Sequence, residues 1–166
     1  GRLWIVSESG CPLVDFDTIQ EAVDSASDGD IILIRPGDYA GFTADGKALT
    51  IAGSQVGIDV AASTIQNTTG NQTIVVQGLT FGKLDVVDTA GPVWIEQCAI
   101  NATGFHDALT TVNASSVLLA RCTLNGAPGA KGAAVNPPGH AGISAFETAL
   151  HLYDCTVWGG YGFIGG

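Results

Sequence analysis

Two stretches decide how the chain is to be read: residues 117–124, VLLARCTL, and residues 150–157, LHLYDCTV. Each puts apolar residues at positions one and three, a cysteine at six and an apolar residue at eight. Toward the N-terminus four more segments, residues 93–100 (VWIEQCAI), 74–81 (IVVQGLTF), 49–56 (LTIAGSQV) and 32–39 (ILIRPGDY), keep apolar residues at one and three and an apolar or aromatic residue at eight, with position six small or Cys in all but one of the six. Their starts are 17, 25, 19, 24 and 33 residues apart in chain order. Alternation over the first three positions marks a strand with one buried face. The change of phase between positions three and six predicts a bend, after which side chains point inward again.

Stacked, the segments make continuous columns. The first holds Ile32, Leu49, Ile74, Val93, Val117 and Leu150, and the second Ile34, Ile51, Val76, Ile95, Leu119 and Leu152. The third holds Gly37, Ser54, Leu79, Cys98, Cys122 and Cys155, and the last Tyr39, Val56, Phe81, Ile100, Leu124 and Val157. Shorter apolar pairs between the segments, Leu84/Val86, Leu109/Thr111 and Ile143/Ala145, supply another wall. Each strand would bury one face against a shared core, resting on its neighbours. Variable spacing puts the insertions in the corners, the longest being the Gly/Ala/Pro-rich loop 125–142.

Ahead of the repeats, residues 1–30 read as a strand over Leu3–Val6 and a capping helix. Asp17 and Gln20 have the spacing of a capping box, and Ile19, Ala22, Val23 and Ala26 give one apolar face. The 166 residues suit a single domain. With 46% hydrophobic and 13% charged residues the chain is globular in composition, and its net charge of −10 argues against nucleic-acid binding. No apolar run reaches the length of a membrane span. Gly1, with no basic and apolar leader after it, is expected of a processed or truncated chain.

The stretch DFDTIQEAVDSASDGDIILIRPGDY (residues 15–39) resembles the N-terminal cap and first rung of secreted β-helix proteins with the pectin-lyase-like fold. RCTL and YDCTVWGG (residues 121–124 and 153–160) are similar to repeats of large bacterial surface proteins of that kind. The resemblance implies an all-β fold: a right-handed parallel β-helix of about six rungs over residues 31–166, ~29 Å tall at ~4.8 Å per rung. It also implies a secreted or cell-surface location. Function does not follow from such a fold, which hosts lyases, hydrolases, adhesins and structural shafts.

Lyases of this fold use an Arg or Lys base beside carboxylate-held Ca²⁺, and here Arg35 and Arg121 are the only basic residues of the repeats. Arg121, flanked along the stack by Gln97 and Asp154, reads as a corner ladder residue. Glu96 and Asp85 are a conceivable hydrolase pair in a chain rich in accidental carboxylate pairs. His106, Asp107, His140 and Ser144 invite a triad reading, but no G-x-S-x-G elbow is present and they read as surface turn residues. Asp24, Asp28 and Asp30 match only part of a calcium loop, with Asp30 fixing the turn into the first rung. No catalytic residue is assigned and no cofactor is expected, with a weak Ca²⁺ site left open.

The outward column Leu33, Thr50, Val75, Trp94, Leu118 and His151 is more apolar than a solvated strand face should be, so either the long loop or another subunit covers it. Cys98, Cys122 and Cys155 are expected to stack inward, mainly reduced, while Cys11 lies outside the repeat as a candidate for a disulfide. Asn67, Asn71, Asn101 and Asn113 head glycosylation sequons. The expected partner is the chain itself, through Leu3, Trp4, Ile5, Leu33, Val75, Trp94, Leu118, Trp158 and Phe163. One route is the addition of the N-terminal strand to the last rung of another copy. The leading reading is a non-enzymatic, extracellular, self-associating structural module. The alternative is a carbohydrate-active enzyme or glycan-binding domain with a polysaccharide partner.

Overall fold

The computed structural model describes residues 1–8, 13–54, 56–129 and 139–161. Cys11 and Phe163 lie outside them. The described chain is mostly strand with one helix, and all its strand pairings are parallel. Among the described residues no helix is long and apolar enough to cross a membrane.

Three sheets form. The first is ordered β1 (Leu3–Val6), β2 (Asp30–Ile34), β5 (Leu49–Gly53), β8 (Ile74–Gln77), β11 (Val93–Glu96), β14 (Val117–Ala120) and β17 (Leu150–Tyr153). The second is ordered β3 (Gly37–Tyr39), β6 (Ile58–Val60), β9 (Thr80–Phe81), β12 (Ala99–Asn101), β15 (Thr123–Asn125) and β18 (Thr156–Trp158). The third is ordered β4 (Thr43–Asp45), β7 (Ser63–Gln66), β10 (Leu84–Thr89), β13 (Leu109–Ala114) and β16 (Ile143–Phe146). From β2 onward the chain visits first, second and third sheet in rotation.

In the last four repeats the expected bend is a single residue in the left-handed region. Gly78, Gln97, Arg121 and Asp154 have φ of 68°, 52°, 54° and 49°. The residue after each of them is Leu79, Cys98, Cys122 or Cys155, turned toward the core. The ladder runs unbroken through the corner, because Gln97 donates its N–H to Ala120 O at 2.9 Å and Arg121 to Tyr153 O at 2.8 Å. A second series of corners, at the ends of the third sheet's strands, uses Gly46, Asn67, Asp88, Asn113 and Glu147. Gly, Asn and Asp tolerate this conformation best, since other L side chains crowd the following carbonyl.

The inward columns close a continuous core, with Ile32, Ile51, Val76, Ile95 and Leu119 all fully buried in one register. Leu84 and Val86 stand in line with Leu109 and Thr111, and these with Ile143 and Ala145, on the third sheet. Helix α1 (Ile19–Ser25) lays Ile19, Ala22 and Val23 against this core.

Three expectations are corrected. The N-cap of α1 is Thr18, not Asp17: its hydroxyl accepts from the Glu21 N–H at 3.2 Å and donates to the Glu21 carboxylate at 2.9 Å, so the box lies one residue later. In β2, Ile32 pairs with Ile51 and Asp30 with Leu49, a slip of two residues. The faces are unchanged, because a strand repeats every two residues, but Ile31 rather than Leu33 stands in line with Thr50 and Val75. Finally, Val60, not Val56, stands between Tyr39 and Phe81. The column is shifted by four residues here, and Val56 is left 93% exposed.

Candidate functional site

The outer face of the first sheet is built by the same alternation that fills the core. One outward column runs Leu3, Ile31, Thr50, Val75, Trp94, Leu118 and His151. Beside it runs Ile5, Leu33, Ala52, Gln77, Glu96, Ala120 and Tyr153. Trp94 is half-exposed, as are Leu3 and Ile31. Glu96 is the one acidic residue of the two columns and is ion-paired to Arg121. The loop between β15 and β16 joins the second sheet to the third. Its described parts, 126–129 and 139–142, hydrogen-bond to one another and to Trp158 and Tyr161 rather than to this face.

The edge made by β16, β17 and β18 is a second exposed apolar surface. Leu152 and Val157 point along the core columns yet are 43% and 42% exposed, whereas Leu119 and Leu124, one strand earlier, are fully buried. Trp158 and Tyr161 beside them are exposed and line a cleft of about 440 Å³ with Asn125, Gly126 and Pro128.

The opposite end is closed. Asp15 accepts the Ile5 N–H at 2.9 Å, the Ile5 carbonyl accepts from Asp15 and Phe16, and Ser7 donates to Phe16 O. Trp4 turns inward in line with Ile32, stacks against Phe16 at 5.3 Å between ring centroids, and lies under the Arg2 guanidinium. It is therefore held within its own chain. Addition of β1 to another copy is corrected accordingly, because its outer edge at Ile5 and Ser7 is already hydrogen-bonded.

The ionisable residues are mostly satisfied locally. Asp28 accepts from Ala48 N and Gln72 Nε2, and these bonds, the Gln72 one foremost, hold its carboxyl below the usual range. Asp30 accepts from Arg2 N, Ser27 N and Trp4 Nε1. Asp24 accepts from Gln20. Lys47 donates to the carbonyls of Val23, Asp24 and Ala26, filling the space at the end of α1 with its own cation. Among the described residues no three His, Cys, Asp or Glu converge as metal ligands.

Asp107 and His140 do meet, with Oδ1 3.6 Å from Nδ1, and the imidazole packs edge-on to Phe105. Ser144 sits on β16 opposite Thr110, four residues beyond His140. The same Asp107 oxygen accepts the Ala141 N–H, so the pair pins the loop end. Asp85, paired with Lys83 on the third sheet, and Glu96 on the first are not brought together. Arg35 donates its N–H to Val6 O, and its carbonyl accepts the Tyr39 hydroxyl.

Cys98 and Cys122 are buried and Cys155 is half-buried, and all three are free thiols. Burial pushes the Cys98 thiol up to about 12 and raises that of Cys122. Asn67, Asn71, Asn101 and Asn113 are all exposed. The amides of Asn67 and Asn113 donate to Asp45 and Asp88, and Asn101 Oδ1 accepts from Asn125.

No family model, no characterised protein and no solved structure matches the chain.

Proposed function

We propose that the chain is a right-handed parallel β-helix of about six rungs, of the pectin-lyase-like kind it resembles, acting as a non-enzymatic, self-associating structural module on or outside the cell. The strand order supports the helix, since three parallel sheets visited in rotation require repeated crossovers in one sense. Parallel crossovers in one sheet are right-handed in almost every case. The exposed sequon asparagines suit an extracellular setting.

The observation that carries self-association is the β16–β18 edge, which no other described strand covers and where Leu152 and Val157 continue buried columns yet are half-exposed. Bare strand edges with apolar inward residues recruit further strands. For the isolated chain the partner is the same edge of a second copy, because α1 and Asp15 close the other end. Sedimentation velocity over rising concentration tests this. Association that is lost in a Leu152→Lys, Val157→Lys variant is expected, and a chain that stays monomeric throughout overturns the reading.

The alternative, a glycan-binding domain, is favoured by one feature, the cleft beside Trp158 and Tyr161. Exposed aromatic rings with neighbouring polar groups suit a sugar face. Binding to a panel of polysaccharides that is lost on Trp158→Ala would support it over assembly.

A further inference from the structure

We infer that the outer face of the first sheet is a second, separate interface, on which two copies of this chain pack face to face about a two-fold axis lying parallel to β8 above Val75. The inference deepens the self-association reading but uses a different surface from the β16–β18 edge.

Three observations carry it. The first is charge. In a chain of net charge −10, the two outward columns of this sheet hold one acidic residue, Glu96, and it is neutralised by Arg121. A cationic partner would be drawn to the acidic remainder of the surface, whereas this face selects an apolar, uncharged one. The second copy presents such a face.

The second observation is shape. Val75 is on the middle strand of the seven. Trp94 lies one strand to one side of it, and the small pair Thr50 and Ala52 lies one strand to the other. Rotation about an axis parallel to β8 exchanges those two strands. Each Trp94 then lands over the low ground at Thr50 and Ala52 of the other copy, while Leu118 meets Ile31 and Val75 meets itself. A protruding ring and a depression spaced equally about the central strand make the face self-complementary, as an isologous contact requires. Aligned sheets pack this way about 10 Å apart.

The third is area. Seven strands ~4.8 Å apart and about four residues at ~3.3 Å each give a face about 30 Å by about 13 Å. Two such faces, roughened by their side chains, bury close to the ~1,000 Å² that separates specific contacts from incidental ones. The dimer is therefore weak and reversible. Because the copies repel at long range through their net charge, it tightens with added salt. Together with the open edge, this second two-fold contact would let the assembly propagate, since two different isologous interfaces alternate along a chain.

The test uses the full chain carrying Leu152→Lys and Val157→Lys, so that only the face can associate. Analytical ultracentrifugation should show a reversible dimer that strengthens with salt. Val75→Asp, which places two carboxylates together on the axis, should weaken it at least about tenfold without changing the melting temperature. Trp94→Ser should do the same. In a Cys11→Ser, Cys155→Ser background, Val75→Cys should be joined to its counterpart by a short bismaleimide, each maleimide double bond adding one thiol, since faces about 10 Å apart hold the two residues beyond disulfide reach but within reach of such a linker. Ile31→Cys, which faces Leu118, should not. The inference is overturned if the edge-blocked chain is monomeric at every concentration, if Val75→Asp and Trp94→Ser dimerise as before, or if Ile31→Cys cross-links as readily as Val75→Cys. Association by the edge-intact chain would persist in each of those cases, which separates this failure from failure of the edge contact.

Discussion

Trp4 donates its indole N–H to Asp30 at 3.0 Å, which ties the first strand to the start of the second. The same carboxylate accepts the Arg2 N–H at 2.6 Å and the Ser27 N–H at 2.9 Å. One side chain thus joins β1, the chain leaving α1 and β2. Asp30 lies 6% exposed at the head of the core.

These donors, the Arg2 N–H first among them, lower the Asp30 pKa to about 2. A carboxyl that is more acidic folded than unfolded binds fewer protons in the native state. Its stabilisation is complete above its unfolded value of about 4 and is lost as pH falls through about 2. Asp30→Asn should therefore lower the melting temperature near neutral pH, and lose less than the wild type between about pH 4 and about pH 2. Thermal melts across that window check it, and parallel pH curves would remove Asp30 from the acid transition.

Lys47 Nζ lies 2.7 Å from Val23 O and 2.9 Å from both Asp24 O and Ala26 O. It satisfies the carbonyls that a helix leaves open at its C-terminal end and opposes the negative end of the dipole. Lys47→Met should cost about 2 kcal/mol in urea unfolding, since charged hydrogen bonds are worth ~1.5–3 kcal/mol each before exposure discounts them. Hydrogen exchange should rise first in α1.

Leu119 and Leu152 occupy successive places in one column, one fully buried and the other 43% exposed. Leu119→Ala should destabilise by ~2–5 kcal/mol, as buried truncations do. Leu152→Ala should cost below ~1 kcal/mol in dilute solution, where its column ends in water. At concentrations that promote association the two costs should converge, and equal costs at all concentrations would show that Leu152 is covered without a partner.

Cys98 and Cys122 are buried with raised pKa values, while Cys155 is half-buried on the last corner. The thiolate is the reactive form, so alkylation near pH 8 followed by peptide mass mapping should label Cys155 well before the other two. Uniform labelling of the three would refute the inward stack.

The sequence by itself determined the class of strand, the alternation that gives each one a buried face, and the place of the bend in the last four repeats. Residues such as Val93, Ile95, Cys98 and Ile100 alternate in a period that only a strand, a one-residue left-handed turn and a second strand can turn inward together. Register between neighbours was beyond it. A slip of two residues leaves every face unchanged, so nothing in ILIRPGDY separates Ile32 over Leu49 from Ile32 over Ile51. Tertiary contacts decide it, through the Gly29 N–H on Ala48 O and the Ala48 N–H on Asp28. The four-residue shift from Val56 to Val60 was hidden for the same reason, since the two have the same parity. So was the inward turn of Trp4, which depends on Phe16 arriving from another part of the chain. Local alternation is dictated by the geometry of one strand, but which strand lies beside it is a long-range choice made by the whole packed core.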